Sequence, residues 1–124
     1  MSTLKVNNIK DASGGTSNLK IDGAAKAWVN FNGTGTVAIR DDLNVSSITD
    51  NGTGDYTVSF TNAMANTNYC VLGTSNYERA TGAGRLFTSP RSHATGSIRV
   101  QTPGDSETSV FFDSEDVCIA IFGD

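Results

Sequence analysis

The densest group of residues with binding chemistry lies between positions 77 and 93. Tyr77, Arg79, Arg85, Arg91 and His93 fall there, so this stretch holds three of the five arginines of the chain. Guanidinium groups bind carboxylates and phosphates through paired N–H donors, and an aromatic ring adds a flat contact surface. The pattern predicts a surface that contacts a glycan, a lipopolysaccharide phosphate or an acidic partner. The alternative is a set of solvated loop charges.

Residues suited to catalysis or to metal binding are sparse. His93 is the only histidine, and with two cysteines the chain lacks the converging ligands that zinc requires. No Gly-x-Ser-x-Gly segment of a serine hydrolase occurs. The Asn-Gly-Thr-Gly segments at 32–35 and 51–54 lack the Gly-Lys-Ser/Thr of a phosphate-binding loop, so we interpret them as hairpin turns. The sequence predicts a protein that is not an enzyme, with no catalytic residue, metal or cofactor.

The two cysteines, Cys70 and Cys118, each lie inside an apolar run, at 69–72 and 117–121. The residues after Met1 show no apolar signal core, so the sequence predicts no export route. Free, buried thiols are therefore expected. A disulfide remains open if the two cysteine-bearing strands are neighbours.

The elements that position these residues are predicted to be strands. Gly, Asn, Asp, Ser and Thr make up half of the 124 residues, and β-branched residues outnumber straight-chain helix formers 31 to 15. Strands are expected at 27–31, 36–40, 45–49, 56–60, 69–74, 84–89, 96–101, 108–112 and 116–122, with Pro90 and Pro103 between strands. Short strands with a turn about every ten residues predict an all-β, antiparallel β-sandwich or jelly-roll-like domain over 27–124.

Residues 1–26 are predicted to be an extended arm that anchors the domain or joins its subunits. Its few apolar residues, which are the candidate anchor contacts, are Leu4, Val6, Ile9, Leu19 and Ile21. Trp28 is a further candidate for a subunit contact, because it is opposite in parity to the apolar Val29 and Phe31. The alternative for Trp28 is a place in the core of a monomer.

Charge and hydropathy limit the partners. The net charge is -4, which disfavours nucleic-acid binding because that binding depends on basic patches. No apolar run approaches the roughly 18 residues of a membrane helix, so no membrane insertion is expected. Charged residues are only 18% of the chain, so the surface is predicted to be rich in hydroxyl and amide groups.

Two tracts, AKAWVNFNGTGTVAIR at 25–40 and NVSSITDNGTGDYTVSF at 44–60, resemble a domain of tail-fibre and related virion proteins of marine tailed bacteriophages, including those of cyanobacteria. The opening STLKVNNI at 2–9 resembles the start of such proteins. Together these tracts cover about half of the chain and stop before Tyr77.

The resemblance implies a homotrimeric structural component of the virion, assembled in the host cytoplasm together with other tail or capsid proteins. It carries over no catalytic residue. The expected role is a short tail-fibre-like appendage or fibre tip that contacts the host surface. The alternative is a head decoration protein that stabilises the capsid, with its arm lying along the shell.

Overall fold

A computed structural model describes residues 2–3, 23–76, 88–104 and 110–123. Eight strands occur in these residues, and none of them is helical. The strands are β1 (Ala27–Asn32), β2 (Ala38–Leu43), β3 (Val45–Gly52), β4 (Asp55–Phe60), β5 (Cys70–Asn76), β6 (Ser89–Arg91), β7 (Ser97–Gln101) and β8 (Asp116–Phe122). The predicted arm lies almost entirely outside the described residues.

The strands form two antiparallel sheets of four. The first sheet has the order β2-β1-β8-β5 and the second has the order β3-β4-β7-β6. The antiparallel β-sandwich predicted from the sequence is confirmed. Strand β8 lies between β1 and β5, which agrees with its apolar residues on both faces.

The core lies between the sheets and is built by alternation along each strand. In β1, Ala27, Val29 and Phe31 point inward and are buried, while the residues between them are only partly covered. The ring of Phe31 meets that of Tyr56, from β4 of the second sheet, edge to face at 5.1 Å. The Tyr56 hydroxyl donates to the carbonyl of Gly33 at 2.9 Å, so the polar end of this buried side chain is satisfied.

The two Asn-Gly-Thr-Gly segments are turns between paired strands, as predicted, but they fold differently. In the first, the Asn32 side chain accepts hydrogen bonds from the backbone N–H and the hydroxyl of Thr34. In the second, Gly54 has φ +62°, and a Cβ there would lie 2.7 Å from the backbone nitrogen of Phe112. Glycine at position 54 therefore meets both a backbone and a packing requirement.

Asn44 links the two sheets at the corner between β2 and β3. It has φ 57°, a left-handed conformation that asparagine tolerates better than most residues. Its side-chain amide donates to the carbonyls of Lys26 and Asn62 and accepts from the N–H of Asn62 at 2.7 Å. One side chain thus holds the start of the first sheet against the end of β4.

Nine strands were predicted in this domain and eight occur in the described residues, not all of them at the predicted positions. The strand expected at 36–40 is instead Ala38–Leu43, since residues 33–37 are used by the turn. Pro90 lies inside β6, where an edge strand tolerates its missing N–H, and Pro103 forms an isolated bridge with Phe111. Residues 110–112 add no strand beyond that bridge; the rest of the 108–112 prediction and residues 84–87 lie outside the described residues.

Candidate functional site: the two outer faces of the sandwich

Of the five residues predicted to contact a receptor, Arg91 and His93 are described. Tyr77, Arg79 and Arg85 lie outside the described residues. His93 follows β6, and its ring packs against that of Tyr69 at a centroid distance of 5.1 Å. The Tyr69 hydroxyl donates to the carbonyls of Ala94 and Ser97. His93 is therefore part of a packed turn as well as exposed, whereas Arg91 is the last residue of an edge strand.

The outer face of the second sheet is entirely polar where its strands pair. The alternation that buries Tyr56 and Val58 turns their neighbours to the solvent side. Strand register then aligns three rows across this surface: Ser47, Ser59 and Ser97; Thr49, Thr57, Arg99 and Arg91; and Asp55, Gln101 and Ser89. We call this surface the polar face.

Two arginines face each other on it. Arg91 of β6 is the register partner of Arg99 of β7, and we call them the arginine pair. Arg99 is held by Asp55: its Nε donates to Oδ1 at 2.7 Å and its Nη2 donates to Oδ2 at 2.6 Å. This two-pronged geometry is the strongest form of an arginine–carboxylate contact. Among the described residues, Arg91 has no ion-pair partner.

Asp55 is the centre of a hydrogen-bond network that fixes Arg99. Besides Arg99, the carboxylate accepts from Gln101 Nε2 at 2.8 Å and from Asn51 Nδ2 at 3.3 Å. The hydrogen bonds from Arg99 outweigh the burial of the group and, with those from Gln101 and Asn51, lower the pKa of Asp55 to about 2. The carboxylate in turn raises the pKa of Arg99. Gln101 Oε1 is buried and has no hydrogen-bond partner.

Sequence reasoning found Arg91 but missed Arg99 and Asp55. The position of Arg99 could have been predicted, because it alternates with the apolar Ile98 and Val100. This alternation places its side chain outward on a half-buried strand. The contact with Asp55 has no local signal. It depends on the register of β4 against β7, which brings together residues 44 positions apart.

The outer face of the first sheet differs in chemistry. Four apolar residues lie side by side across all four strands of this sheet, and we call them the apolar row: Leu43, Trp28, Ala120 and Leu72. Leu43 is 46% exposed and Leu72 is 57% exposed. Trp28 is half-buried on this outer face, so its interpretation as a core residue was wrong and its availability for a contact stays a prediction. The other predicted contacts, Leu4, Val6, Ile9, Leu19 and Ile21, lie outside the described residues.

Beside the apolar row, this face carries an ion pair and a bulge. The register between β1 and β2 shifts between Asn30 and Phe31, which leaves Arg40 as the extra residue. The Arg40 guanidinium reaches over the sheet to Asn30 Oδ1 at 3.1 Å and to Asp116 Oδ1 at 2.8 Å. The two charges of this ion pair offset each other beside the apolar row.

Both cysteines are free, as expected, but the prediction that both are buried was wrong. Cys70 is exposed and Cys118 is partly covered, because both lie on the outer side of the first sheet. Their strands are neighbours, yet Cys118 pairs in register with Thr74, four residues from Cys70. Four residues of strand span about 13 Å, well beyond the Cα separation that a disulfide allows.

Within the described ranges, no three His, Cys, Asp or Glu side chains are grouped so that they could hold a metal ion. The same residues contain no helix long and apolar enough to cross a membrane. No protein-family model, curated protein or solved structure matches the chain.

Proposed function

We propose that this chain is a structural subunit of a tailed-bacteriophage particle, a short tail-fibre-like appendage or fibre tip that self-associates through the outer face of its first sheet. The apolar row is the observation that carries the proposal. The resemblance of residues 25–60 to tail-fibre and related virion proteins supports the same role and favours a trimer.

The apolar row has the properties of a surface that gains free energy by contact. Burying a leucine side chain fully stabilises an assembly by about 1.5–3 kcal/mol, so Leu43 and Leu72 each keep roughly half of that gain unrealised in the isolated chain. The small Ala120 stands between Trp28 and Leu72, so the row is continuous across the three strands.

A second copy of the chain is the partner that this surface suits best. The chain carries a net charge of -4, so two copies repel at most orientations. The apolar row is uncharged, and the nearby Asp116 is neutralised by Arg40 at 2.8 Å. Contact through this face therefore avoids part of the repulsion, and the remaining charge is that of Asp41, which pairs in register with Asn30, is exposed and has no ion-pair partner among the described residues.

Sedimentation equilibrium at tens of micromolar tests the association. We expect the wild-type chain to sediment at about 39 kDa, three times its 13.0 kDa, and the double variant Trp28→Ser, Leu72→Ser to sediment as a monomer. Val110→Ser is the matched control, since Val110 is 42% exposed and lies outside the first sheet. A monomeric wild-type chain would remove the basis of the proposal.

Electron microscopy of the intact particle, with an antibody against the chain, tests the location. Label at the tail or at a fibre supports an appendage. Label spread over the head shell would replace the appendage by the decoration protein, and a particle without label would contradict both roles.

A further inference from the structure

The arginine pair is an unusual arrangement for two like charges. Residues directly opposite on antiparallel strands have their Cβ atoms about 5 Å apart, and like charges at such positions repel. Arg91 and Arg99 occupy such positions in a chain whose net charge is -4. The sheet surface around these two arginines is therefore locally positive, and a carboxylate of the described residues offsets only one of the two charges.

The positive charge is only partly neutralised, because Asp55 forms an ion pair with Arg99 alone. Its two oxygens take the Nε and Nη2 donors of Arg99, and Gln101 and Asn51 occupy further positions on the same carboxylate. The Nη1 group of Arg99 makes none of these contacts, and the Arg99 side chain is still 46% exposed. Arg91 is exposed and, within the described ranges, has no carboxylate beside it.

Hydroxyl groups surround the pair. Thr57 is the register partner of Arg99 on the other side, and Ser59 and Ser97 form part of the next row. Hydroxyls donate and accept hydrogen bonds in any rotamer, which suits the alternating hydroxyls of a sugar. The rows of the polar face contain no apolar side chain, so a flat, hydrated chain molecule fits this surface better than a protein hot spot does.

We propose that the polar face binds an acidic polysaccharide, whose oxyanion lies between Arg91 and the Nη1 group of Arg99 and whose hydroxyls contact Thr57 and Ser97. Asp55 acts as a positioning residue, since it fixes the plane of the Arg99 guanidinium without touching the ligand. The site deepens the proposed function, on which its biological setting rests, by giving the host-surface contact a place and a ligand class.

Calorimetric titration with three polymers tests the site: polygalacturonate, which bears carboxylates, dextran sulfate, which bears sulfates, and neutral dextran. We expect the wild-type chain to bind at least one acidic polymer and not dextran. Arg91→Gln should weaken that binding at least tenfold, because Arg91 supplies half of the charge at the site. Arg91 is on the surface, so this variant should fold normally.

Arg40→Gln is the matched control, because Arg40 is equally an exposed arginine but lies on the first sheet. Unchanged binding by this variant supports the site. An equal loss in Arg40→Gln and Arg91→Gln would mean diffuse charge attraction and would overturn the proposal, as would full binding by Arg91→Gln or no binding by the wild-type chain. The polymer that binds tells carboxylate from sulfate.

The site and the particle proposal fail separately. A chain that sediments as a trimer and binds neither acidic polymer contradicts only the site. A chain that binds an acidic polymer through Arg91 and sediments as a monomer contradicts the proposed function and leaves the site supported.

Discussion

The two outer faces of the sandwich share one architecture and have opposite chemistry. Each is a four-stranded antiparallel surface over a common apolar core. The first sheet exposes an apolar row and a self-neutralised ion pair, whereas the second exposes hydroxyls, amides and two adjacent arginines. The difference shows that one apolar core supports two outer faces of different chemistry.

The faces also differ in how each holds its arginine. Arg40 and Asp116 are both well exposed on the first sheet, so water and salt weaken their attraction. Asp55 is only 12% exposed beneath Arg99 and has four hydrogen-bond donors around it. A similar distance between charges therefore gives a weaker ion pair on the first sheet than on the second.

Of the changes that separate the two faces, Asp55→Asn is expected to have the largest effect on stability. The substitution removes the charge that Arg99, Gln101 and Asn51 converge on, and it leaves buried donors poorly matched. We expect a loss of about 2 kcal/mol in the free energy of unfolding, measured by urea denaturation at pH 7. Binding of an acidic polymer should also weaken, because the orientation of Arg99 is lost.

Asp116→Asn is the counterpart on the first sheet. The exposed pair with Arg40 contributes about 0.5 kcal/mol or less, so this variant should unfold almost as the wild-type chain does. Equal losses in the two variants would show that the contrast in burial between the faces has no energetic consequence.

The second-largest effect is a loss of folding stability at acid pH that arises from Asp55 on the second sheet. The pKa of Asp55 is lowered from its ordinary value of 3.8 to about 2 in the folded chain. The ionised carboxylate therefore stabilises the fold, and this contribution is fully present above pH 3.8. That stability, about 1–2 kcal/mol after allowance for the exposure of Arg99, is lost as the pH falls from about 4 to about 2.

Urea denaturation at pH 5, 4, 3 and 2.5 measures this loss. The difference in unfolding free energy between the wild-type chain and Asp55→Asn should shrink over this interval as the carboxylate is protonated. A constant difference from pH 5 to pH 2.5 would show that Asp55 is not the group that titrates.

The smallest effect is a change in the reactivity of the cysteine thiols. It shows whether a second copy covers the outer face of the first sheet, and it does not involve stability. Cys70 is exposed and Cys118 is partly covered, so a dilute, monomeric sample should react with iodoacetamide faster at Cys70. Self-association through this face should slow the reaction at Cys70 as protein concentration rises. A Cys70 rate that is the same in monomer and trimer, measured by mass spectrometry of the peptides, would place the contact elsewhere.

Much of the fold follows from the sequence because alternation and turn chemistry are local. The apolar parity of β1 and of β4 predicts both the strands and their inward residues, and the Asn-Gly-Thr-Gly segments predict two hairpins. The position of β2 was missed by two residues, because the length of a turn depends on how Gly33 packs against Tyr56. The order of strands in each sheet has no local signal.

Less of the candidate site follows from the sequence. Crowding of arginines pointed to Arg91, and parity placed Trp28 outward, but neither pattern shows what lies beside the residue in space. The apolar row arises from the register of β8 with β1 and with β5, strands that are far apart in the chain, and the arginine pair arises from the register of β6 with β7, which follow each other in the chain. Such neighbours become visible only when the pairing of the strands is known.

Pro90 has a consequence for how copies of this chain can be joined. Strand β6 has three residues and closes one side of its sheet, and its central residue offers no backbone donor there. A strand from another copy therefore cannot form a continuous row of backbone hydrogen bonds with β6, and extension of the β-sheet from this edge is blocked. Any filament or fibre built from this chain must extend by stacking surfaces or by its other borders, which protects the folded chain from uncontrolled polymerisation on that side.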